Sequence, residues 1–133
     1  MSALTQEKNI EMYNQVMALS DFDICKYLAE IEGLQTYTQA GDVRVVVPDG
    51  DDYHFDPLNN VNQCDELISK HGVKRRYEPY DFIGWCYHVQ DGKNPANITE
   101  RQDFGDGEPD ITMQKAAGLA IILNKSEKFK LAS

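Results

Sequence analysis

The fold class this sequence predicts is a single α+β domain: a mostly antiparallel sheet of about four to five strands packed with about four helices, in an αβα-sandwich-like arrangement. Three observations carry it. Apolar residues recur at helical spacing in four separated segments. Between those segments lie runs rich in β-branched and aromatic residues, such as Val43 to Val47 and the alternating Ile83 to Val89. The joints Ala40-Gly41-Asp42 and Pro48-Asp49-Gly50-Asp51 are too short for a crossover helix, so the strands they link must run antiparallel.

The first helix is expected across Leu4 to Leu19, where Ile10, Tyr13 and Met17 fall at helical spacing among polar residues. In LSDFDICKYLAEIEGL, Ser20 is placed to cap a second helix with Asp23 at the third helical position, and Gly33 to end it in the left-handed conformation. Its buried stripe is Ile24, Cys25, Leu28 and Ile31, leaving Lys26, Glu30 and Glu32 in water. Leu34 to Gln39 and Val43 to Val47 read as a hairpin with Val43, Val45 and Val47 on one face. The Pro-Asp-Gly turn then returns the chain as a short third strand, Tyr53 to Phe55.

Pro57 lacks a backbone donor and drives Asp56 away from helical angles, so that strand must stop there. Asn59 or Asn60 then caps a third helix. The stretch thus reads as a structural joint. Val61, Cys64, Leu67 and Ile68 form the third helix's apolar face and Gly72 its stop. Lys74-Arg75-Arg76 reads as a solvated basic loop before a strand in which Ile83, Trp85, Tyr87 and Val89 alternate with Phe82, Gly84, Cys86 and His88. Asn97 to Gln102, after the Asp91-Gly92 turn, reads as a further strand. Ile111, Ala116, Leu119, Ala120 and Leu123 mark a mostly buried final helix. Asp110 stands as its N-cap, and Lys125 and Lys128 lie at the end that favours cations.

A length of 133 residues, with 41% hydrophobic and 10% aromatic content, suits one folded domain rather than a disordered chain. The net charge of −9 disfavours nonspecific binding to nucleic acid or anionic membranes and favours a basic or a small partner. Neither a long apolar run nor a basic start followed by an apolar block occurs, so no membrane span or secretory signal is expected and the chain should act where it is made. Cys25, Cys64 and Cys86 are odd in number and each lies in an apolar element, as buried free thiols of a reducing cytosol do. The Asn97-Ile98-Thr99 sequon has no glycosylation meaning in that compartment.

Candidates for chemistry are few. Cys86 with His88 on one strand, and Cys64 with His71 on one helix face, hold metal-ligand residue types. None of them has the paired spacing of a structural zinc motif, and core cysteines with surface or cap-region histidines explain them better. No metal or cofactor is expected. Asp49, Asp51, Asp52 and Asp56, and Asp103, Asp106, Glu108 and Asp110, form two acidic loops that lack the donor pattern of a calcium loop. They read as solvated turns or as a negative surface for a basic partner. Cys86 with His71 or His88 is the one nucleophile and base pairing the residue types allow. DFGDGEPD lacks the Lys of a phosphate loop. Arg75 and Arg76, with Tyr77, Tyr80 and Trp85, combine guanidinium charge and aromatic faces suited to a small anion or nucleotide.

The order of LSDFDICKYLAEIEGL, FDPLNNVNQCDELISKHGV, an aromatic strand and DITMQKAAGLAIIL resembles small tailed-phage accessory proteins of the NinX-like and phage αβα-sandwich group, over Leu19 to about Lys125. Residues 1–18 stand outside that pattern as an N-terminal helical extension to a domain over 19–133, and the acidic loop before the last helix also departs from it. The resemblance implies a phage protein in the bacterial host cytoplasm and brings no catalytic residues with it.

The expected function is therefore noncatalytic: binding a host protein with a basic surface, and so inhibiting an anti-phage defence, through Asp49, Asp51, Asp52, Asp103, Asp106 and Glu108. Two alternatives stand beside it. One is a binder of a small nucleotide signal through Arg75, Arg76, Tyr77, Tyr80 and Trp85; the other is a small enzyme using Cys86, His88 or the Asp loops.

Overall fold

The computed structural model describes the backbone of residues 3–78, 84–89, 98–99, 111–126 and 129, with side chains at 10–75, 87–89, 111–126 and 129. These residues form helices α1 (Ala3–Met17), α2 (Asp21–Ile31), α3 (Val61–His71) and α4 (Met113–Lys125), and strands β1 (Thr36–Gln39), β2 (Asp42–Val45), β3 (Tyr53–His54), β4 (Val73–Glu78), β5 (Gly84–Val89) and β6 (Ile98–Thr99). The class is α+β with four helices and antiparallel pairing throughout, as expected. The strands divide between two three-stranded sheets, β1-β2-β3 and β4-β5-β6, rather than forming one. The division follows from the Asp56-Pro57 joint. Pro57 halts the first meander, and α3 carries the chain away before β4 begins a second.

The helix caps follow side-chain chemistry. Ser20 Oγ accepts from the Asp23 amide at 3.2 Å, and Asn60 Oδ1 accepts from the Gln63 amide at 3.1 Å. Gly72 ends α3 with φ 67°, in the region that favours glycine. The cap of α4 is Thr112, whose Oγ1 accepts from the Lys115 amide at 3.2 Å, and not Asp110; the helix starts later than the acidic run suggests.

Helix α4 is the hub. Every residue from Ala116 to Asn124 is buried, and α1, α2, α3 and the sheet β4-β5-β6 all pack on it. A helix enclosed on all sides must be apolar all round, which is what AAGLAIIL supplies. At Gly118 a Cβ would sit 3.2 Å from Leu28 Cδ1 and 3.4 Å from Ile24 Cγ2, so the missing side chain lets α2 approach. Helix α1 joins this core through Met12, Tyr13, Val16 and Met17, with Val16 fully buried. Ile10, expected on the buried face, is 61% exposed, because contact with the core begins only at Met12. Val61 is 52% exposed for a related reason: it opens α3 a turn before Cys64 reaches the interior.

Ala40 and Gly41, with φ of 52° and 81°, form the two-residue turn between β1 and β2, matching the twist of the strands it joins. Val43 and Val45 point into the core and β2 packs on α2, while Tyr37, Arg44 and His54 are register neighbours on the opposite face. Lys74, Arg75 and Arg76 belong to strand β4, not to a loop: β4 pairs along its whole length with β5, from Val73 opposite Val89 to Glu78 opposite Gly84. The alternation of Val73, Tyr87 and Val89, all buried, outweighs the charge of the basic run.

Candidate functional site

The N-terminal turn of α2, the β1-β2 turn and the strand-to-helix joint enclose a cleft of about 170 Å³. Asp21, Asp42 and Asp56 bring three carboxylates to its lining, His54 adds an imidazole, and Phe22 and Val43 supply apolar wall. His54 Nε2 lies 3.6 Å from Asp42 Oδ1, and Lys115 Nζ reaches Asp21 Oδ1 at 3.5 Å. The cleft therefore holds more negative than positive charge and is about the size of one long side chain.

Asp56 is the fixed member. Its Oδ2 accepts from Asn59 Nδ2 at 2.8 Å, its Oδ1 accepts from the Cys25 thiol at 3.5 Å, and its carbonyl accepts the amides of Asn59 and Asn60. Burial, reinforced by the Asp56 charge and the hydrogen bond to it, pushes the Cys25 thiol up to about 12. A thiol held protonated beside a carboxylate is a poor nucleophile, so the cleft does not offer cysteine chemistry. Burial likewise raises the Cys64 thiol to about 11. The Asp-Pro joint is structural, as its sequence indicates.

The acidic residues expected to meet a partner differ in their roles. Asp49 and Asp51 are exposed in the turn after β2. Asp52 is exposed as well but is engaged: its carboxylate accepts from the Val47 amide at 3.2 Å and from the Tyr37 hydroxyl at 2.9 Å, so it holds the turn. Asp103, Asp106 and Glu108 lie outside the described residues. Asp21 and Asp42, which share the cleft, escaped the sequence reading because 21 residues separate them and only the packing of α2 on β2 unites them. The one local sign was Asp42 following a Gly in a hairpin turn.

The basic and aromatic set is partly assembled. In the β4-β5 register Arg75 stands opposite Tyr87 and Tyr77 opposite Trp85, whereas Arg76 stands opposite Cys86 in the other row. Tyr87 is buried in the core, and Arg75 is exposed. Tyr80 lies outside the described residues. His71 is held by Glu32, and His88 is half-buried on β5. Among the described residues no group of three or more His, Cys, Asp or Glu side chains is arranged to hold a metal ion. No helix among them is long and apolar enough to cross a membrane.

A second, larger cleft of about 480 Å³ lies between β3 and α3, lined by Glu32, Glu66, Lys70, Tyr53, Phe55 and Leu67. Lys70 Nζ pairs with Glu32 Oε2 at 3.1 Å within that lining, so part of its charge is already met internally. Comparison with protein-family models, curated proteins and solved structures finds no match to this chain.

Proposed function

We propose that the protein is a noncatalytic binding module whose acidic face, around the sheet β1-β2-β3 and the start of α2, docks a basic surface of another protein. The observation that carries this reading is the convergence of Asp21, Asp42 and Asp56 on one side-chain-sized cleft, beside exposed Asp49 and Asp51, in a chain of net charge −9. A lysine or arginine from a partner would lay its stem on Phe22 and Val43 and bring its charge among the carboxylates. Such a surface accelerates encounter with basic partners and discriminates against acidic ones. The resemblance of its short motifs to those of phage accessory proteins supports taking that partner as a host factor of an anti-phage defence in a bacterial cytoplasm.

The test is capture from bacterial lysate by the tagged protein, compared with an Asp42→Lys, Asp49→Lys, Asp51→Lys variant that keeps its circular dichroism. Capture of a basic protein that weakens with salt and disappears in the variant is the expected result. Undiminished capture by the variant would overturn the acidic-face reading. The register proximity of Arg75, Tyr77 and Trp85 favours a second reading, binding of a small nucleotide. A thermal shift with a nucleotide panel that is abolished by Arg75→Ala would select it.

A further inference from the structure

The two edges of the sheet β1-β2-β3 are treated differently. At the β3 edge, Phe55 turns its own amide inward to the Val43 carbonyl at 2.8 Å, so the amides and carbonyls of His54 and Asp56 face outward. Three of these four groups are taken: Gln63 Nε2 donates to the His54 carbonyl at 2.9 Å, Gln63 Oε1 accepts from the Asp56 amide at 2.7 Å, and the Asp56 carbonyl accepts the Asn59 and Asn60 amides. The carboxamide of Gln63 thus imitates a neighbouring strand along most of that edge.

Among the described residues, none closes the β1 edge in this way. The Val46 amide donates to the Gln35 carbonyl at 2.9 Å, which makes 35 and 46 a hydrogen-bonded pair. Strict alternation then makes Tyr37 with Arg44 and Gln39 with Asp42 bonded pairs as well. Thr36 and Thr38 fall between them, so their amides and carbonyls face away from β2. Tyr37, Thr38 and Gln39 are exposed, and Thr36 is half-buried. The strand reads Thr-Tyr-Thr-Gln, without the lysine, proline or bulge that commonly blunts an open edge.

We infer that the β1 edge is a docking strand, and that its occupant is an extended basic segment of a partner protein added by main-chain pairing to Thr36 and Thr38. The inference rests on the proposed partner-binding reading and specifies how the partner binds. Charge selects the occupant. Asp42 and Asp52 lie at the two ends of the β1-β2 pair, and Asp49 and Asp51 lie in the turn beside it. A second copy of this chain would bring another net charge of −9 to the same edge, whereas a lysine-bearing strand would neutralise it. Main-chain bonds supply affinity in this mode, and alternate side chains supply specificity.

The probe is a fluorescein-labelled peptide of alternating lysine and valine, titrated against the full chain by anisotropy. Saturable binding is expected, with hydrogen-exchange protection appearing at the Thr36 and Thr38 amides. Thr38→Pro removes an outward amide without touching a β1-β2 bond and should weaken binding about tenfold. Because that variant can fail to fold, the peptide is also N-methylated at alternate residues in each of the two frames; one frame should lose binding and the other keep it. Equal binding by both frames, or no binding by the unmodified peptide, overturns the inference. Loss of binding on charge reversal at Asp42, Asp49 and Asp51 with no effect of N-methylation would leave the acidic face standing and remove the docking strand. The reverse pattern would keep the strand and remove the acidic face. Sedimentation of the protein alone should give a monomer; a dimer abolished by Thr38→Pro would assign the edge to a second copy and overturn the basic occupant.

Discussion

His71 Nε2 donates to Glu32 Oε2 at 3.1 Å, joining the last turn of α3 to the C-terminal cap of α2. Both side chains are largely buried, at 10% and 12% exposure, while Lys70, which reaches the same oxygen at 3.1 Å, is 61% exposed. Glu32 was expected in water from its place on the polar side of α2, and α3 covers it instead. Without His71 the partly buried Glu32 carboxylate keeps only the exposed Lys70, and losing a buried hydrogen bond costs more than losing an exposed ion pair. His71→Ala should therefore cost about 1–2 kcal/mol of stability, and Lys70→Ala less than about 0.5 kcal/mol. Urea denaturation of the two variants measures the ratio, and equal losses would assign the contact to the lysine.

Asp52 differs from its neighbours in the acidic turn because it bonds both the Val47 amide and the Tyr37 hydroxyl. Its removal undoes two bonds that fix the return of β3 onto β2. Asp52→Ala should destabilise by about 1 kcal/mol, discounted for solvent exposure, and Tyr37→Phe by about half as much. Asp49→Ala and Asp51→Ala should be close to neutral. Thermal melts of the four variants order them, and a large loss at Asp49 would contradict this division of roles.

Local rules recovered those parts of the fold that local chemistry decides. Ser20, Asn60 and Gly72 cap as their side chains dictate, and the hairpin around Ala40-Gly41 and the stop at Pro57 stand where sequence placed them. What escaped depended on tertiary partners. Lys74-Arg75-Arg76 carries a loop-like composition, yet it is drawn into β4 by pairing with β5, a contact between segments that no short window contains. Ile10 and Val61 have the right spacing but lie beyond the reach of the core. The cleft was illegible for the same reason: Asp21, Asp42 and Asp56 come from three elements that no short window contains together.

Ala40 holds φ 52°, and the described residues contain no other non-glycine at positive φ. An alanine in this region bears a steric cost of about 1 kcal/mol that Asn tolerates and Gly avoids. Asn followed by Gly41 is the pair such a turn prefers. Ala40→Asn should raise stability by about 0.5–1 kcal/mol and leave partner capture unchanged, since the side chain faces solvent. A lowered melting temperature would show that the turn gains something from alanine that its backbone angles do not reveal.

The buried thiols give the protein a pH dependence with a fixed sign. The ordinary value is 9.0; burial first, and the neighbouring Asp56 second, hold Cys25 near 12, and burial with Asp65 holds Cys64 near 11. Above pH 9 the unfolded chain loses these protons while the folded chain keeps them, so stability present below pH 9 falls as pH climbs toward 11 and 12. Cys25→Ala and Cys64→Ala should each flatten that decline relative to the parent, even though each lowers stability at pH 7 by leaving a small cavity. In a Cys86→Ser background, a thiol-disulfide reagent at pH 8 should label neither cysteine in the native protein and both after unfolding. Native labelling at the rate of an exposed cysteine would mean that the α2 face opens to solvent, and that the Cys25 contact with Asp56 is transient.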